Sequence, residues 1–206
     1  MTGASVTLGL SSLALAAFPL VRPFFPFDPT TPAETLARAS RAVTSPQWLV
    51  AHYLALIGFV LLLCVLPALD SRLAPTGAQP RARLGVVLSG VGVALILPTL
   101  GVELYALPAI GRLFLDNAGV APLVGAIYLG GATVVMVLGL LLLAVGAIVL
   151  ATAIARSRTL TTWAGITFAV GLALWCPLFP PAVRVADGLL IGIGGIGLAW
   201  ALRRGA

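Results

Sequence analysis

The chain has 206 residues, 60% of them hydrophobic and 9% charged, whereas a soluble domain carries about 25% charged residues. So few polar side chains cannot cover a surface in water, which excludes an ordinary soluble domain and makes lipid the solvent for most of the chain. The net charge of +6 comes from twelve arginines and no lysine against six acids. The arginines cluster between apolar segments, as membrane topology requires, so the expected partner is the lipid bilayer and no nucleic acid is expected.

A spanning helix needs about 20 apolar residues. Six stretches qualify, at roughly 4–21, 47–69, 84–107, 122–153, 160–179 and 186–202. They predict an all-α integral membrane bundle forming one transmembrane domain over residues 1–206. The first stretch contains Ala14-Leu-Ala16, which resembles a signal-peptide cleavage site. It lacks a basic region before it, and we read it as a span.

The connection at 22–46 carries an aromatic and proline stretch and then Thr31-Pro-Ala-Glu34, a capping box with proline at the first helical position. A short interfacial helix is expected at about 32–43, either on the outer membrane surface or as a plain connector touching other loops. Ser45-Pro46 caps the second span, and Pro67 is expected to end it. Pro98 should kink the third. The fourth span repeats small residues every seven positions, at Gly125, Ala132, Gly139, Gly146 and Ala153. The sixth carries Gly188, Gly192, Gly195 and Ala199. Such stripes predict close helix packing in lipid, within the chain or against another subunit.

Orientation follows from arginine placement. Arg72, Arg81, Arg83, Arg156, Arg158, Arg203 and Arg204 fall on the side holding both termini, and Arg22, Arg38, Arg41, Arg112 and Arg184 on the other. Both termini are expected in the cytoplasm, with the protein in the inner (plasma) membrane of a cell. Trp163 and Trp200 then fall near the inner surface, Trp48 and Tyr105 near the outer one.

The one histidine, His52, lies inside the second span, and Glu103 sits at a similar depth on the third. A charged group at the bilayer centre costs roughly 2.5–3.5 kcal/mol, so intramembrane ionisable residues are site candidates. Trp48, one turn from His52, and Tyr53 and Tyr105 complete a candidate ligand-binding set. Arg184, Asp187 and Trp175 are assigned to the same outer half. Three readings stand open. Glu103 pairs with His52 or Arg112 and only orients helices; the outer half binds a small molecule, lipid headgroup or quinone; or His52 ligates a haem or chlorophyll-type pigment axially. Cys64 and Cys176 lie in apolar runs without metal spacing. No phosphate loop, nucleophile elbow or metal-binding helix motif occurs, so no catalytic residue and no metal ligand set is expected.

The pattern Trp48-Leu-Val-Ala-His52, then Gly101-Val-Glu103-Leu-Tyr105-Ala-Leu-Pro108-Ala, then an apolar carboxyl half ending in Arg203-Arg204, resembles a loose group of uncharacterised small multi-span bacterial membrane proteins. That resemblance covers residues 47–204. It implies a multi-span fold and carries no activity or catalytic residue with it. The expected role is non-enzymatic: an accessory or scaffolding subunit of a larger membrane complex, with other membrane subunits as partners. The alternative is a small-molecule, lipid or quinone-binding protein or transporter component.

Overall fold

The computed structural model describes residues 3–25, 30, 32–116, 119, 121–128, 130–176 and 179–204. These form α1 (Gly3–Val21), α2 (Pro32–Val43), α3 (Pro46–Leu73), α4 (Gln79–Gly101), a π-helical turn (Val102–Ala106), α5 (Leu107–Asp116), α6 (Ala121–Tyr128), α7 (Gly131–Ser157), α8 (Thr162–Leu174) and α9 (Pro181–Arg204), with no strand among the described residues. Five helical segments are long and apolar enough to cross a membrane: α1, α3, the continuous Gln79–Asp116 segment, α7 and α9.

Six helices close into a ring. Packing runs from α1 to α3, α3 to α4, α4 to α7, α7 to α8, α8 to α9, and α9 back onto α1. The ring follows chain order, with α2 inserted between α1 and α3, and the π-turn, α5 and α6 between α4 and α7. The interior is filled by Leu8, Leu15, Phe59, Leu62, Leu66, Leu143, Leu150, Phe168, Ile191 and Leu198. Outward faces carry Val60, Val87, Leu141, Ile148, Ile166 and Ile193, all exposed apolar groups, which suits a bundle solvated by lipid.

Four expected boundaries are corrected. The third span continues without a break through the π-turn to Asp116. The 122–153 stretch is two helices, because Gly130 is extended (φ −101°, ψ −167°) ahead of α7. Adjacent Gly130 and Gly131 are poor helix formers, and hydropathy alone cannot register the break. The 160–179 stretch yields a helix of 13 residues, about 20 Å long and too short to cross a bilayer by itself. Pro67 does not end α3, which runs on to Leu73. The flanking Val65, Leu66, Leu69 and Leu73 are all buried, and that packing holds the helix through the missing bond. Helix α2 covers 32–43 as expected, and it packs on α5. Its proposed capping residue Thr31 lies outside the described residues.

Small residues set the tightest helix pairs. A Cβ on Gly139 would stand 2.9 Å from Gly92 O and 3.0 Å from Leu95 Cβ, and one on Gly146 would overlap Ser89 N. The matching face of α4, Gly85, Ser89 and Gly92, is one that sequence reading passed over, although it is also spaced by four and three. Ala153 is fully buried. Gly125 lies on α6, apart from this seam. On α9, Gly188 meets Pro19 and Ala16 O, Gly192 meets Ala16, and Gly195 meets Ser12, all on α1. Gly139, Gly146 and the glycines of the α9 stripe therefore serve packing within the chain, whereas Ala132 is exposed.

Candidate functional site

Ser45 caps α3 by accepting from Trp48 N at 3.3 Å, with Pro46 at the first helical position. That start sets the phase of α3, so Trp48 and His52, one turn apart, both turn inward. Trp48 is 1% exposed and His52 2%. Trp48 is therefore a buried anchor rather than a membrane-surface aromatic, whereas Tyr105 is 63% exposed.

On the facing segment, the π-turn brings Glu103 to the same level. Leu107 N–H bonds Val102 O, five residues back. By that pattern the donor for Glu103 O would be residue 108, which is proline and has no N–H. The Trp48 indole Nε1–H donates to this carbonyl instead, at 2.8 Å. A π-turn and a proline thus expose one backbone acceptor inside the bundle, and a side chain from α3 satisfies it.

The Glu103 carboxylate approaches His52, with Nε2 and Oε2 3.5 Å apart. The other ring nitrogen, Nδ1, lies 2.7 Å from Trp48 O. A carbonyl only accepts, so Nδ1 carries the hydrogen. The imidazole lies against the Trp48 ring (centroids 4.2 Å) and meets Phe18 of α1 edge-on at 5.4 Å. Outside this layer, the Arg22 guanidinium sits 4.8 Å over the Trp48 ring. Tyr53 and Tyr105 neighbour each other between the same two segments, both exposed. The structure therefore brings Trp48, His52, Tyr53, Glu103 and Tyr105 into one interface between α3 and the π-turn. Phe18 and Arg22 belong to it too. Arg22 was read only as topology, and Phe18, an aromatic at the end of the first span, was passed over.

This arrangement can hold two helices at a fixed register and can hold a proton between an imidazole and a carboxylate. Axial ligation of a haem or pigment would require Nε2 to leave Glu103 and a flat face to open where Trp48 and Phe18 now pack. Among the described residues, no three of His, Cys, Asp and Glu come together as a metal site. Cys64 and Cys176 are free thiols.

Space for a ligand lies beside the cluster rather than within it. A cavity of about 230 Å³ is walled by Pro98 and Thr99 of α4, Val102 of the π-turn, Ile127 of α6, and Ala132 and Met136 of α7. Its walls are almost wholly apolar, and Ala132 of the predicted packing stripe faces it. Comparison of the chain with family models, curated proteins and solved structures returned no match.

Proposed function

We propose that this chain is a non-enzymatic multi-pass protein of a cell's inner (plasma) membrane, with the loop between α3 and α4 on the cytoplasmic side, acting as an accessory or scaffolding subunit of a larger membrane assembly. One observation carries the reading. The only histidine is spent on structure, with Nδ1 on the Trp48 carbonyl and Nε2 on Glu103. A catalytic pair needs a reacting atom within reach of its base. Here aromatic rings occupy that space. Purification from native membranes in mild detergent tests the reading: a stoichiometric set of other membrane subunits is expected. A monodisperse species of this chain alone, with no co-purifying protein, would overturn it.

The apolar cavity favours a second reading, a protein that holds a small apolar molecule, a lipid tail or a quinone. Empty apolar cavities of about 150 Å³ are known to take benzene, so 230 Å³ is enough for a larger apolar group. Extraction of the purified chain followed by mass spectrometry separates the readings, since one retained small molecule per chain supports the second.

A further inference from the structure

A second buried polar group lies away from His52 and Glu103. Arg184 and Asp187 stand one turn apart at the start of α9, 4% and 2% exposed, and Trp175, just past the end of α8, is 5% exposed. With Phe18, Pro19 and Cys176 they wall a narrow cleft next to the outer loop between α8 and α9. Phe179 and Pro180 of that loop are exposed, so the cleft lies close to the surface.

Three polar atoms here are buried without a hydrogen-bond partner among the described residues: Trp175 Nε1, Arg184 Nε and Asp187 Oδ1. Buried polar groups in native proteins are paired with few exceptions, and an exception calls for a partner. Nothing at the Trp48–His52–Glu103 cluster supplies one. The donor and acceptor count is specific. Two N–H groups can only donate, and a carboxylate oxygen can only accept. A hydroxyl has two lone pairs and one O–H, which is the complement of that set. An anion would meet Asp187, and a cation would meet Arg184, so a neutral group is favoured on electrostatic grounds as well.

We propose that this cleft is a binding site for a single neutral hydroxyl, which accepts from Trp175 Nε1–H and Arg184 Nε–H and donates to Asp187 Oδ1. The hydroxyl comes from water or from the headgroup of a hydroxylated lipid. The cleft is closed, with no water-sized space between its walls, so one wall must move on binding.

The Trp175 indole proton reports directly on this site. The full chain, labelled with ¹⁵N-tryptophan, is placed in nanodiscs of phosphatidylcholine, which has no free hydroxyl, or of phosphatidylglycerol, which has two. Trp175→Phe assigns the signal; if that variant does not fold, Trp48→Phe, Trp163→Phe and Trp200→Phe assign it by elimination. A downfield, hydrogen-bonded indole proton is expected. Magnetisation transfer to water in both lipids identifies water as the source, whereas transfer to headgroup protons only in phosphatidylglycerol identifies lipid. An upfield, unbonded indole proton in both lipids would overturn the proposal. So would a downfield proton that transfers to neither, because the indole would then have closed on Asp187 itself.

Discussion

Two glycines of α4, two residues apart and therefore on different faces of the helix, should respond oppositely to the same substitution. A Cβ at Gly90 would meet only Leu63 Cδ2 and Leu66 Cδ1, each at 3.9 Å, which is ordinary contact. A Cβ at Gly92 would stand 2.5 Å from Leu143 N, 2.7 Å from Gly139 O and 2.9 Å from Leu143 Cα. Those are backbone atoms of α7, and no side-chain rotation relieves them. Both changes gain the same helix preference of alanine over glycine, about 0.8–1.0 kcal/mol. Gly90→Ala should therefore stabilise by about that amount. Gly92→Ala must also force α4 from α7, an overpacking cost of about 1–3 kcal/mol. Its net effect runs from about neutral to about 2 kcal/mol destabilising, and the gap between the two variants should be about 1–3 kcal/mol. Thermal unfolding in one detergent, followed by loss of the monodisperse peak, measures the gap directly. Equal midpoints, or a more stable Gly92→Ala, would refute the claim that backbone contact sets the α4–α7 distance.

His52→Ala and Glu103→Gln should each destabilise the protein, with a double mutant that costs less than the sum by about 0.5–3 kcal/mol; strict additivity in a thermal-unfolding cycle would dissolve the pair. Trp48→Phe leaves the buried Glu103 carbonyl without its indole donor, a cost of about 1–3 kcal/mol, and hydrogen exchange should accelerate at residues 102–108; unchanged exchange there would show that the bond does not hold the π-turn. Arg158 has φ 54° at the end of α7, a left-handed position that glycine fills without strain, so Arg158→Gly should raise stability by about 1 kcal/mol, and a fall in melting temperature would contradict this. A cysteine placed at Thr76 should resist impermeant thiol reagents applied to intact cells; ready labelling from outside would reverse the proposed topology.

Composition and spacing alone determined that this chain is all helical and apolar enough for a membrane, because hydropathy over about 20 residues is a local property. They also singled out His52 and Glu103, since ionisable groups are conspicuous in apolar runs and matched depth follows from counting along two antiparallel helices. The heptad of small residues on α7 was legible for the same reason, as a period that keeps one face. What the tertiary structure decided depends on partners distant in sequence. Whether a small-residue face meets its own chain is settled only where Gly139 lies on Gly92 and Gly195 on Ser12. The passage through Pro67 turns on packing that outweighs local preference, whereas the break at Gly130 follows from two adjacent glycines that hydropathy does not register. The π-turn could not be read from one segment, because it joins a proline at 108 that withholds a donor to a tryptophan, 55 residues before Glu103, that supplies one. Arg184, Asp187 and Trp175 were visible one by one, and only the meeting of α1, α8 and α9 made them a buried set with two donors and one acceptor to satisfy.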